Sequence, residues 1–135
     1  MDSTTIAPTL FLMTTMIDSK LTYAVIWASN NIEKYGYKVF KDFIDKWFNT
    51  IAINPNETEI LGEICYSKLS DYDWKIDVAI FVLSPKFSLP VLEEIKELGI
   101  KKVWFQPGAE SDEAIEFCIR NWIEYVANAC IMIKW

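Results

Sequence analysis

The sequence predicts a single α/β domain built on a mainly parallel sheet, and three observations predict it. Short apolar runs rich in β-formers alternate with amphipathic segments of about ten residues. The runs are nearly continuous in apolar character, as strands covered on both faces must be. Nearly every run stops on Pro, Gly, Ser or Asn, the residues that break regular backbone. Strands alternating with helices of this length imply βαβ units with right-handed crossovers. At 135 residues the chain suffices for one domain with its own core.

The elements follow in order. Residues 1–19 are Thr-rich and carry Pro8, and they read as a loose arm or a short leading helix ahead of a domain spanning 20–135. Leu21–Ala28 is a strand, with Tyr23, Val25 and Ile26 favouring extended backbone, and Ser29-Asn30-Asn31 turns the chain. Tyr35–Phe48 places Val39, Phe40, Phe43, Ile44 and Trp47 at helical spacing. Ile51–Ile53 is a second strand, ended by Asn54-Pro55-Asn56. An irregular stretch follows, whose Ile60, Leu61, Ile64 and Tyr66 are expected to cover one sheet edge. Ile76–Leu83 is a buried strand stopped by Ser84-Pro85, and Leu89–Leu98 a helix closed by Gly99. Lys102–Phe105 is the next strand. Gln106-Pro107-Gly108 breaks it, and Ser111 stands as the N-cap of a helix running to Trp122, with acids in its first turn. Ile123–Val126 is the last strand.

Composition removes several functions. Thirteen basic against nineteen acidic residues give a net charge of −6. No stretch concentrates Lys and Arg, which argues against a nucleic-acid surface. The chain has no histidine, so His-dependent triads and most zinc chemistry are ruled out for it. Cys65, Cys118 and Cys130 lack the spacing of a zinc site or a disulfide framework. No apolar run approaches the ~18 residues of a membrane span. Met1–Met16 lacks the basic residue that would make its Leu10–Met13 patch a signal sequence. The reading is a cytoplasmic protein with reduced thiols.

Four strand ends carry polar or special residues: Ser29-Asn30, Asn54-Pro55, Ser84-Pro85 and Gln106-Pro107-Gly108. In a parallel sheet they share one edge, where open α/β sheets bind ligands. Each alone is what any βα loop requires. Together they outline a crevice of short polar side chains and backbone N–H groups, suited to phosphates and sugar hydroxyls, with Lys34, Lys38 and Lys86 as nearby cations. Cys130 admits a redox role or plain packing, and Asp77, Asp71, Asp73 and Glu63 read as structural acids. No nucleophile has an adjacent base.

The runs Tyr23–Asn30, Lys34–Val39, Ile53–Pro55, Glu59–Gly62, Asp77–Val82, Val103–Glu113 and Asn128–Cys130 strongly resemble the small CoA-binding proteins. Those look like the N-terminal domain of succinyl-CoA synthetase α subunits standing alone. The resemblance covers about residues 20–134 without a large gap, and Trp104-Phe105-Gln106-Pro107-Gly108-Ala109-Glu110-Ser111 is its specific part. It implies a Rossmann-like three-layer domain, a five-stranded sheet of order 3-2-1-4-5, and coenzyme A across the carboxyl edge. By this likeness Ser29 and Asn30, with the following helix, face the pyrophosphate, and Ala28, Lys34 and Tyr37 belong to the same cofactor-binding site. Asn54 and Pro55 border the adenosine, Ser84 and Pro85 line the middle, and Gln106, Pro107 and Gly108 flank the pantetheine. A helix N-terminus adds about 0.3–1 kcal/mol of attraction for a phosphate.

The departures are specific. The family pattern has glycine at the positions of Trp27, Trp47 and Trp122, and commonly lysine at Asn56. An indole at 27 obstructs a phosphate or stacks on the base. At 47 and 122 a helix turns into a strand, where left-handed angles cost a non-glycine residue about 1–2 kcal/mol. Three such positions filled by Trp point to one systematic origin, such as a codon read as Trp that the host reads as Gly.

The leading expectation is a CoA or acyl-CoA carrier, sensor or regulatory module without chemistry of its own. A rival is a component of an acyl-CoA synthetase whose catalytic His lies on a protein partner. A general nucleotide or dinucleotide binder ranks lower, because no Gly-x-Gly-x-x-Gly run is present. An interaction module that has lost its ligand, through Trp27, is the remaining alternative. Self-association is compatible with each.

Overall fold

A computed structural model describes residues 10–132. Its elements run α1 (Leu10–Thr15), β1 (Thr22–Ile26), α2 (Tyr35–Asp45), β2 (Asn49–Ile53), β3 (Glu59–Ile60), β4 (Glu63–Tyr66), β5 (Val78–Phe81), α3 (Ser88–Leu98), β6 (Lys102–Phe105), α4 (Asp112–Arg120) and β7 (Glu124–Val126). Residues 1–9, half of the expected N-terminal arm, lie outside the described residues.

The strands form one sheet of order β3-β4-β2-β1-β5-β6-β7. All neighbours are parallel except β3 with β4. The sheet therefore has seven strands, where five of order 3-2-1-4-5 were expected. The difference lies at one edge. The stretch read as irregular is a hairpin, closed by Leu61 (φ 52°) and Gly62 (φ 78°). Two positive φ values in a two-residue loop match the right-handed twist of paired strands. Its second strand adds to β2 in parallel, Ala52 opposite Cys65 and Ile53 opposite Tyr66. With β4 counted third, the parallel strands read 3-2-1-4-5-6, the doubly wound order.

Alternation along the strands sorts the core into two layers. From β1, Tyr23 and Val25 meet Val39, Phe40 and Phe43 of α2 on one face. Ala24 and Ile26 meet Leu92 and Ile95 of α3 and Phe117 of α4 on the other. The leading segment shares the first of these faces: Met16 is fully buried there, and Lys102 donates to the Thr15 carbonyl. At the amino edge Asp77 is structural, as read from sequence. Its carboxylate accepts from Thr22 N at 2.9 Å while its own N–H donates to the Thr22 carbonyl.

Tyr23 is the buried polar centre of the α2 layer. Its hydroxyl donates to the Met16 carbonyl at 2.7 Å and accepts from Asp18 N at 2.9 Å. Burial pushes its pKa up to about 12. The folded state thus holds this proton more tightly than the unfolded chain. The stability it contributes is complete below pH 10 and is lost as pH rises toward 12. We predict that Tyr23→Phe costs about 1–3 kcal/mol at neutral pH, because Asp18 N and the Met16 carbonyl lose their partner. Chemical denaturation across pH 9–12 should then show a shallower fall in stability for the variant than for the parent chain.

Candidate functional site

The site arises from strand polarity. Because β1, β2, β5, β6 and β7 are parallel, the loops after them open on one edge. Chain order reverses between β1 and β5, so the loops leaving these neighbours diverge to opposite faces, one to α2 and one to α3. A crevice of about 470 Å³ opens at this point, lined by Trp27, Ser29, Lys34, Tyr35, Asn54 and Ser84, with Glu33, Gly36, Val82 and Leu83. A second hollow of about 320 Å³ continues from it along Tyr35, Val82, Leu83 and Ser84 to Gln106, Pro107, Gly108, Ala109 and Cys130. Shared lining residues make the two one trough along the carboxyl edge.

One wall is the start of α2. This eleven-residue helix has no side-chain cap at Lys34, so the positive end of its dipole meets the crevice. Gly36 permits the approach. A Cβ there would lie 2.3 Å from the Trp27 carbonyl oxygen and 3.3 Å from Ser29 N, so any other residue would push helix and loop apart. The cations are held near aromatic rings at the rim: Lys38 Nζ lies 5.2 Å from the Tyr35 centroid, and Lys86 Nζ 5.1 Å from that of Phe87. Trp27 lines the crevice, and its indole packs on Phe87, centroids 5.1 Å apart.

The sequence-derived residues divide by position. Ser29, Lys34, Asn54, Ser84, Gln106, Pro107 and Gly108 line the trough. Ala28, Asn30, Tyr37, Pro55 and Pro85 do not border it. Ala28 is buried, and its carbonyl accepts from Asn54 Nδ2 at 2.7 Å, which ties the loops after β1 and β2 together. Asn30 turns away. Its side chain donates to Glu57 Oε1 and to the Glu59 carbonyl, both at 2.8 Å, and the first of these, with the Asn30 N–H on Glu57 Oε2 at 3.1 Å, lowers the pKa of the Glu57 carboxyl. Pro55 is exposed beyond the rim.

Gln106 is a clamp. It is 3% exposed, its Oε1 accepts from Ile131 N at 2.7 Å, and its Nε2 donates to Cys130 Sγ at 3.3 Å. Trp104 assists, donating from Nε1 to the Ala129 carbonyl at 2.8 Å. Together they fasten the segment after β7 across the end of β6, which makes Cys130 a wall of the hollow. Ser111 caps α4 as expected, accepting from Ala114 N at 3.1 Å. Tyr35, Val82 and Leu83 were not singled out from the sequence. An aromatic just inside a helix start, and the last apolar residues of a strand, read there as core.

Among the described residues no group of three or more His, Cys, Asp or Glu side chains could hold a metal ion. No helix of the described residues is long and apolar enough to cross a membrane. Burial raises the thiols of Cys65 to about 11 and of Cys118 to about 12, so both are protonated and shielded at neutral pH.

A parallel sheet with a trough at its switch point and a helix start in the wall defines a Rossmann-like ligand-binding domain. A family model described as a CoA binding domain matches residues 21–135, and the chain belongs to that family. Among curated proteins it is 36% identical, over 81 residues, to the α subunit of an ADP-forming acetate–CoA ligase II from Pyrococcus furiosus, covering 59% of this chain and 18% of that one. It is 28% identical over 111 residues to the uncharacterized Bacillus subtilis protein YneT, covering 82% of each. Among solved structures it resembles a conserved hypothetical protein from Pyrococcus furiosus with a TM-score of 0.80 and 41% identity, covering 85% of this chain and 98% of that one. A Pyrococcus horikoshii hypothetical protein gives 0.82 and 28%, covering 90% and 85%. The chain thus spans less than a fifth of the ligase subunit, but most of the small relatives.

The clamp makes a prediction. Gln106→Ala frees the segment 128–132 and leaves Ile131 N without its acceptor, at a cost of about 1–3 kcal/mol. In thiol labelling at neutral pH Cys130 should react first in the parent chain and faster still in the variant. Cys65 and Cys118 should stay slow in both until unfolding.

Proposed function

We propose that the chain binds coenzyme A, free or acylated, along the carboxyl-edge trough, as a carrier, sensor or regulatory module without chemistry of its own. The observation that carries this reading is the coincidence of two independent facts. The CoA-binding family match spans the whole sheet, and the trough opens at the switch point against an uncapped helix start. In this reading the first turn of α2, with Ser29 and Lys34, takes the pyrophosphate. Asn54 borders the adenosine, and Ser84 supports the middle of the ligand. The pantetheine follows the apolar hollow past Pro107 and Gly108 toward Cys130. Affinity then rests on several modest contacts, each helix start adding about 0.3–1 kcal/mol. The cytoplasm suits such a module, since the free thiols of Cys65, Cys118 and Cys130 persist there.

A second reading has one specific support. The ligase subunit to which this chain is 36% identical is a much longer protein, of which the match covers 18%, and this chain has no histidine to carry a phosphoryl group. If it takes part in acyl-CoA synthesis, that residue comes from a synthetase-type partner.

Thermal unfolding with millimolar CoA, against dephospho-CoA, ATP and NAD, tests the leading reading. At a hundredfold excess over Kd a ligand adds about 2.7 kcal/mol, on the order of 10 °C for a domain this size. The expected result is a shift with CoA well above those with ATP and NAD, enlarged in Trp27→Gly. Equal shifts with NAD would favour a general dinucleotide binder. No shift in either chain would leave an interaction module.

A further inference from the structure

Three helices of this fold end alike. In α3, Gly99 donates to the Lys96 carbonyl and Ile100 to the Ile95 carbonyl, both at 3.1 Å. In α2, Trp47 donates to Ile44 and Phe48 to Phe43, both at 3.0 Å. In α4, Trp122 donates to Ile119 at 3.4 Å and Ile123 to Cys118 at 2.9 Å. This is the Schellman closure, in which one residue takes left-handed angles and the next, apolar, turns back to the core. The left-handed φ values are 75° at Gly99, 64° at Trp47 and 58° at Trp122. Ile100 and Ile123 are buried, and Phe48 stacks on Tyr23.

The motif requires a residue that accepts positive φ without strain, which glycine does and a side chain with a Cβ does not. Asn128, also left-handed, is a type that tolerates it, and Leu61 shares its loop with Gly62. Tryptophan at 47 and 122 has neither excuse and gains nothing from packing, being 90% and 87% exposed. Trp104 shows what a tryptophan does elsewhere in this fold: its ring is fully buried and its Nε1 hydrogen-bonded. Composition leans the same way. The chain has four glycines and six tryptophans in 135 residues, where the roughly 7% glycine of average proteins would give about nine.

We infer that positions 27, 47 and 122 are glycine positions, their codons decoded as glycine in the organism that makes this protein, so that two helix ends close without strain and the crevice is lined without an indole. Positions 47 and 122 carry this on backbone geometry alone. Position 27 joins them as the tryptophan that lines the crevice, its carbonyl lying where Gly36 makes its close approach. Only its consequence for affinity rests on the CoA reading.

Two measurements test it without CoA. The gene should show one shared codon at 27, 47 and 122, different from the codon at 104. The same codon at all four positions, or mixed codons at the three, overturns the decoding. In thermal unfolding, Trp47→Gly and Trp122→Gly should each raise Tm by about 3–6 °C, while Trp74→Gly should not raise it. Trp74 is the control because it is 76% exposed yet outside the left-handed region. A fall in Tm for either helix-end variant overturns the glycine assignment.

Discussion

The site depends on the position of β1. This strand pairs in parallel with β2 on one side and β5 on the other, Ala24 lying opposite both Ile51 and Ala79. Such a central strand must be apolar on both faces, and residues 23–26 are all buried. Because the chain leaves β1 toward α2 and leaves β5 toward α3, no backbone fills the space between the two strand ends. The trough is therefore a consequence of connectivity, and its lining is whatever residues the loops place there. Side chains tune the pocket; strand order creates it.

The trough is also closed from the far end. Gln106 holds the segment after β7 by one strong bond to a backbone N–H and one weak bond to a thiol. A buried amide of this kind spends its hydrogen-bonding capacity on the protein. The polar groups left along the trough are then the backbone at the start of α2, Lys34, and the hydroxyls of Ser29 and Ser84. That is a surface suited to a long, multiply charged ligand read at many points, in keeping with the family to which the chain belongs.

Much of this was legible in the residues. Lys102–Phe105 matches its observed bounds, the helices expected over 35–48 and 111–122 run slightly shorter in the structure, and that over 89–98 begins one residue earlier. Apolar periodicity and Pro, Gly and Ser punctuation are local signals, and they located these elements. The β3–β4 hairpin was hidden because its strands are short and its loop begins with Leu61, a residue no turn preference selects. The clamp was hidden for another reason. Gln106 meets Ile131 across 25 positions of chain, and the sequence beside Gln106 carries no trace of that partner. Asn30 looked like a ligand contact because it follows a strand, yet Glu57 on a different loop claims its side chain. Local readings found where the edge is, and long-range pairing decided which residues face it.

The central claim is that coenzyme A lies along the carboxyl edge at the switch point. Backbone amide NMR of the Trp27→Gly chain, titrated with CoA, tests it most directly. The account predicts the largest shift changes at 29–37, 82–87 and 106–109 and at Cys130, with 46–49, 99–101 and 121–123 at the opposite edge unmoved. Perturbations centred on that opposite edge, or none at saturating CoA, would contradict it.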